Sequence, residues 1–583
     1  MAEFDLVIRR GTLVDGNGGA PRVADVAVRD GVIVEVGEVS GQGEREIDAA
    51  GLVVGPGFVD IHTHYDGQAV WDDRLQPSSL HGVTTVVAGN CGVGFAPVKP
   101  DDRDKLIQLM EGVEDIPGTA LYAGLEQHWS WSTFGEYLDV LGSRAWDIDI
   151  ATQVPHAALR FWAMGDRAAA LAAATEEEIA DMADMAAQAV RDGALGFSTS
   201  RTINHKSRSG DVTPSYGSEA KELTTIAAAV GRTGTGVLQF VTDYDDLDED
   251  FALMRSMVVA SGGRPLSVSL LQKRKLPRLY QPTLDKITES NQAGLPIRAQ
   301  VASRGVGIML GLTCTVHPFV TNPVWLTLAG LPAAEQAARM ADPETRAAIL
   351  AAQTAEVPEN LGPGALRINR YEAMWELGEY PEYEPSLDDT ILARATREGR
   401  SPEDLAYDIL IKDQGRGMIQ QPFTNYADGN LEAVREMLTH PYTVPGLGDG
   451  GAHVGAICDS SFTSTLLQHW VRDRGEGRLP IEFVFQKQSR DTAQTVGLND
   501  RGVLAPGYRA DIIVVDMEHL RMRRPEITYD LPGGERRMRQ EVEGYRHTFV
   551  AGVETYHDGV PTGALPGRLV RGARSAAPEL VAG

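Results

Sequence analysis

The alternation of short apolar runs with helical patterns through the middle of the chain constrains its fold more than any other feature. Candidate strands fall at 57–61, 83–88, 148–154, 194–198, 236–241, 266–271, 296–302 and 443–448. Helical patterns lie between several of them, the clearest at 175–191, where Thr175 and Glu178 form a capping box ahead of an Ala/Met-rich run. Parallel strands require such crossovers, since a tight hairpin joins only antiparallel neighbours. The pattern therefore predicts βα units. Eight of them suit an α/β fold of the closed (β/α)8 TIM-barrel type, with reactive groups at the strand C-termini. The interval from about 319 to 440 is too long for a loop and predicts a helical insertion; Ser401 at an N-cap with Pro402 behind it starts one of its helices.

The two ends of the chain have another texture. Asp30-Gly31 within 25–36 and Ala551-Gly552 within 545–559 each sit between two β runs, the arrangement of a tight hairpin. Residues 1–55 and 500–583 are therefore expected to build one small β-sandwich domain together, leaving 56–499 to the barrel. The chain has 54 basic and 81 acidic residues, a net charge of −27, which argues against a nucleic-acid or anionic-membrane partner and permits a homo-oligomer. Cys91, Cys314 and Cys458 are an odd number without paired spacing, which points to a reducing compartment. No basic segment leads into an apolar one at the start, and no apolar stretch reaches the roughly 18 residues of a membrane span. A cytoplasmic globular protein is expected.

Three motifs carry chemistry. In Gly55-Pro-Gly-Phe-Val-Asp-Ile-His-Thr-His64, alternate residues of an extended run share a face, so His62 and His64 point together from a strand end. Two imidazoles so placed are natural ligands for a zinc-like metal. In Gly82-Val-Thr-Thr-Val-Val-Ala-Gly-Asn-Cys-Gly92, Cys91 stands at the tip of the next strand, either as a small buried hydrophobe or as a functional thiol. In Pro445-Gly-Leu-Gly-Asp-Gly-Gly-Ala-His453, Asp449 lies among glycines at the end of the last strand, where it could be a ligand or a general base.

With these motifs the sequence resembles the amidohydrolase superfamily, and within it the D-aminoacylase (N-acyl-D-amino-acid deacylase) group. Val113-Glu-Asp-Ile-Pro-Gly118, Gly193-Ala-Leu-Gly-Phe-Ser-Thr199 and Leu504-Ala-Pro-Gly-Tyr-Arg-Ala-Asp511 extend the resemblance over nearly the whole chain. It implies a distorted barrel with a small β domain, His62 and His64 as strand-1 ligands, and Cys91 as a ligand that in the family can bridge two metals. It also implies Asp449 as the aspartate that orients the attacking water and takes its proton. One departure matters. Where the family has histidines at the ends of strands 5 and 6, this chain has Gln239 and Leu270. Leucine ligates nothing and glutamine is a poor zinc ligand, so His62, His64, Cys91 and Asp449 are left to hold a single zinc per chain. Catalysis needs an open coordination position, so Asp449 must stay free as base or the metal must be five-coordinate.

His205, and less readily His317 and His453, could supply a replacement ligand. Arg304 could pair with a substrate carboxylate. Glu114 and Asp115 read as loop anchors. The expected activity is metal-dependent hydrolysis of a non-peptide C–N bond in a small molecule, an N-acyl (D-)amino acid above all. A cyclic-amide hydrolase on the same fold, or a metal-poor barrel that binds without turnover, are the alternatives; retention of Asp449 favours an enzyme.

Overall fold

The computed structural model describes residues 2–352 and 368–576. Its centre is a ring of parallel strands: β1 (Phe58–Asp60), β2 (Val83–Ala88), β3 (Asp149–Thr152, continued by Val154–Pro155), β4 (Gly196–Arg201), β5 (Val237–Thr242), β6 (Leu266–Leu270), β7 (Ile297–Val301) and β8 (Thr443–Pro445). Each pairs in parallel with the next, from β1 on β2 round to β7 on β8. Such strands are covered on both faces, which is why they read as nearly unbroken apolar runs and why every residue of β2 is buried. The ring closes between β8 and β1 just beyond the strands themselves. There Thr63 and Gly450 form a parallel bridge, the Asp449 N–H donates to the His62 carbonyl at 3.0 Å, and the His64 N–H donates to the Gly450 carbonyl at 2.8 Å.

The crossover helix Glu176–Asp192 begins at the capping box: the Thr175 side chain accepts from the Glu178 N–H and the Glu178 carboxylate accepts from the Thr175 N–H. Ser401 likewise caps the helix that starts at Pro402. The long interval between β7 and β8 differs from the helical insertion expected at 319–440. It opens earlier, at Gly307–Leu310, and that strand joins Met418–Pro422 and Trp375–Leu377 in a three-stranded antiparallel sheet. Helices pack on this sheet around a separate core that includes Ile308, Met340, Ile391, Tyr407 and Ile419. Strand partners so far apart in sequence leave no local signature, which is why only the helices were anticipated.

Residues from both ends of the chain share one nine-stranded sheet. Phe4–Leu13 pairs with Arg22–Arg29 on one side; on the other, its first part pairs with Gly43–Asp48 and its last residues with Val53–Pro56. A bulge between Ile8 and Gly11, with Arg10 at φ 59°, lets the strand bend between these partners. Val53–Pro56 then pairs antiparallel with Ile512–Val515, which leads on to Tyr545–Val550 and Val553–His557. Both hairpins turn through consecutive positive φ values, at Asp30-Gly31 and Ala551-Gly552. Val53–Pro56 runs through Gly57 straight into β1, so this sheet is the support from which the first ligand segment extends.

Candidate metal centre

His62, Thr63 and His64 continue the line of β1, held on one side by the Gly450 bridge and on the other by β2, where the Thr63 N–H donates to the Val87 carbonyl at 3.1 Å. Extended geometry puts the two histidines on one face and Thr63 on the other. The His62 Nδ1 donates to Gln300 Oε1 at 2.7 Å. An amide oxygen only accepts, so this bond fixes the tautomer and leaves the Nε2 lone pair free toward Cys91, whose Sγ is 3.2 Å away. Gln300, on β7, is itself held by donating to Ser267 Oγ at 2.9 Å. His62, His64 and Cys91 bring one ligand atom each within 4.8 Å of one another.

Cys91 sits in a tight turn after β2 with φ 56°. Its backbone N–H donates to Gln239 Oε1 at 3.1 Å, and the Gly92 N–H donates to Ser198 Oγ at 3.1 Å. Gln239 thus reaches the centre by bracing the turn that presents the thiol. Leu270 is buried in the main core and offers only methyl groups. Asp449 follows β8 at φ 46°, a left-handed conformation that aspartate tolerates better than most residues. Its Oδ1 lies 3.5 Å from His62 Nε2 and 3.7 Å from His64 Nε2. Ligand atoms that share a tetrahedral ion with bonds of about 2.0–2.3 Å stand about 3.3–3.8 Å apart, so the His62–Cys91 contact is close to that spacing and the Asp449 carboxylate lies near enough to face a group bound beside them.

The electrostatics agree. Burial, together with the neighbouring His62, His453 and His205, holds the His64 pKa well below the usual histidine value, so it is a neutral imidazole with a lone pair to give. Burial and the carboxylates of Glu114, Asp449 and Asp66 push the Cys91 thiol up. A cation among them would reverse that shift and stabilise the thiolate. Burial raises Asp60 and Asp66 to about 7 each.

Other candidate residues are placed as follows. His205, in the loop after β4, bonds through Nδ1 to Ser200 Oγ at 2.9 Å; burial and the nearby His453 push its pKa down to about 4. His453, at φ 51°, donates its N–H to the Glu114 carbonyl. His317 lies in the inserted segment with its ring 4.3 Å from that of Trp325, and its Nδ1 accepts from the Phe319 N–H at 3.2 Å. Arg304, expected to meet a substrate carboxylate, is 1% exposed. Its terminal nitrogens donate to Thr465 Oγ1 at 2.9 Å and to the Cys458 carbonyl at 2.6 Å, and its guanidinium lies 3.7 Å over the Tyr383 ring. A carboxylate at the mouth finds those nitrogens already bonded.

Glu114 was read as a loop anchor and is not in a loop. It ends the helix Arg103–Glu114, is 2% exposed, and lies with Oε1 3.3 Å from His64 Nδ1. Asp115, the next residue, caps that helix at φ 50° with its carboxylate toward Thr315. Among the described residues, one further group could hold a metal: His547, Glu554 and His557 on the terminal sheet. There Glu554 already pairs with both histidines and with Arg45 at 2.5 Å, placing a cation where a metal would need an anion.

At the first, second and eighth strand ends of a parallel barrel, two histidines, a thiol and a carboxylate converge in a group that could hold a metal ion. The sequence matches the amidohydrolase family over residues 45–559, and the chain belongs to that family. It is a hydrolase of carbon–nitrogen bonds other than peptide bonds. An N-acyl-D-aspartate deacylase of Alcaligenes xylosoxydans xylosoxydans is 28% identical over 582 residues, covering 98% of this chain and 95% of that one. A D-aminoacylase of the same organism is 37% identical over 197 residues, 34% of this chain and 37% of the other. In fold, a D-aminoacylase structure superposes with a TM-score of 0.65 at 23% identity, covering 97% of this chain and all of the other. The N-acyl-D-glutamate deacylase of Bordetella bronchiseptica, solved with zinc and a phosphonate inhibitor, gives 0.61 at 22% identity over 97% of this chain and 99% of its own. Among the described residues no helix is long and apolar enough to cross a membrane.

Proposed function

We propose that this chain is a zinc-dependent amidohydrolase that cleaves the amide of an N-acyl amino acid, the D series foremost, with water as nucleophile and Asp449 as general base. The observation that carries the reading is the position of Asp449 Oδ1, within 3.7 Å of the Nε2 atoms of both His62 and His64. His62, His64 and Cys91 would hold the metal, one per chain. Zinc in that position supplies Lewis acidity toward an amide oxygen and lowers the pKa of water near it. Asp449 then accepts the proton of the attacking water and returns it to the amide nitrogen as the C–N bond breaks. Its backbone N–H, bonded to the His62 carbonyl, keeps base and ligand in one frame. The Cys91 turn is braced by Gln239 and the His62 ring by Gln300, so both ligands are oriented before substrate arrives. The named activities of the deacylase relatives support the choice of substrate class.

The test is elemental analysis of metal-replete protein followed by a panel of N-acyl D- and L-amino acids with cyclic amides alongside. About one equivalent of zinc and turnover of the acyclic D-amides is the expected result. Turnover confined to cyclic amides would overturn the substrate class, and active protein without metal would overturn the mechanism.

A further inference from the structure

Glu114 is a buried carboxylate at the mouth of the barrel that the proposed chemistry does not use. Its helix delivers it there under tight constraint. At Gly112, two residues earlier, a Cβ would fall 2.1 Å from the Ser207 carbonyl carbon, so the helix and the loop bearing His205 approach backbone to backbone. The Arg208 N–H donates to the Gln108 carbonyl at 3.0 Å across the same contact. With the helix end fixed, Oε1 faces His64 Nδ1 at 3.3 Å and Oε2 faces His453 Nε2 at 3.8 Å. Neither Oε1 nor His64 Nδ1 makes a hydrogen bond, to the other or to any third group, though both are fully enclosed. A carboxylate buried without a Lys or Arg partner is costly unless a hydrogen-bond donor faces it, and the groups facing this one are imidazoles.

We infer that Glu114 is the positioning residue for His64, receiving its Nδ1–H so that Nε2 is turned toward Cys91 and Asp449; the inference rests on the reading of His64 as a metal ligand. The placement resembles that of His62, whose Nδ1 is hydrogen-bonded to Gln300, with Glu114 standing 3.3 Å from the equivalent nitrogen of His64. The two ligands are therefore backed by different chemistry, a neutral amide behind His62 and a carboxylate behind His64. A carboxylate acceptor raises the donor strength of the imidazole more than an amide does, and such partners are typically worth about 10–100-fold in metal affinity.

The experiment compares the wild type with Glu114→Ala and Glu114→Gln, using zinc and cobalt(II) as probes. Zinc affinity is measured by competition with a chromophoric chelator, and the cobalt(II) d–d and thiolate charge-transfer bands are recorded for each protein. Glu114→Ala is expected to weaken zinc about 10–100-fold and to shift the cobalt bands. Glu114→Gln, which keeps an acceptor of the same shape, is expected to recover part of both. Should Glu114→Ala fail to fold, the isosteric Glu114→Gln carries the test through its intermediate affinity and shifted cobalt bands. Zinc affinities within twofold of wild type and unchanged cobalt bands in the variants that fold would overturn the assignment. A wild type that takes up neither metal fails at the earlier step, the metal reading itself, and removes this inference with it.

Discussion

The two sides of the barrel mouth are built from the same kind of strand and end in opposite chemistry. On the arc from β8 through β1 to β2, the strand ends carry Asp449, His62, His64 and Cys91, their ligand atoms a few ångströms apart. On the arc of β5 and β6 stand Gln239, the third of six residues in β5, which braces a backbone turn, and Leu270, the last of β6, which fills the core. The strands are alike in parallel pairing and in being almost wholly buried, although β1 and β8 are three residues long and β5 and β6 six and five. The contrast teaches that neighbouring strands of one barrel can present candidate ligands on one arc and a brace and a packing group on the other.

The largest effect expected is on the metal-bearing arc. His62→Ala or His64→Ala should drop bound zinc from about one equivalent to near zero and abolish turnover, read by elemental analysis and by activity. Two equivalents in the wild type would break the contrast, because the β5–β6 side would then be ligating. Asp449→Asn should keep the zinc and the fold while lowering kcat by about 10²–10⁴-fold; near-wild-type kcat would remove Asp449 as base. On the other arc the effects should appear in stability. Leu270→Ala should cost about 2–5 kcal/mol in denaturant unfolding with zinc stoichiometry unchanged. Smallest is Gln239→Leu, which strands the Cys91 N–H and should cost about 1–3 kcal/mol. It should also loosen zinc modestly, because the thiol's turn loses its brace. A Leu270→Ala protein that loses its metal would show that the two arcs are not separable.

Much of the architecture was legible because parallel barrel strands are apolar on both faces. Expected and observed strands coincide for β2 at Val83–Ala88 and differ by a residue at each end for β5 and β7. The sheet inside the insertion was not legible. Trp375–Leu377 is three residues long, and Met418–Pro422 contains two glutamines, so neither shows a strand's period. At the centre, the shared face of His62 and His64 follows from their spacing of two. Neither Gln300 nor Glu114 could be found that way. Gln300 is an unremarked residue of an interior strand. Glu114 ends a helix whose apolar stripe says which side is buried, and says nothing of what lies beyond its last turn. What brings them to the histidines is tertiary placement alone. The nearest available hint was the segment 113–118 that supports the family resemblance, and its glutamate was read as an anchor.

The sheet shared by the two chain ends also sets an order of events during synthesis. Val53–Pro56, the strand that launches β1 and its histidines, has Ile512–Val515 as its partner on one edge. At ribosomal rates of about 5–20 residues per second, that edge waits tens of seconds for its partner while the barrel is made. Until then the nascent chain presents an unpaired β edge, the kind of surface that other chains can join. The hydrolase is therefore at its most vulnerable when almost all of it exists, and loss of the C-terminal strands would be felt first at the other end of the molecule.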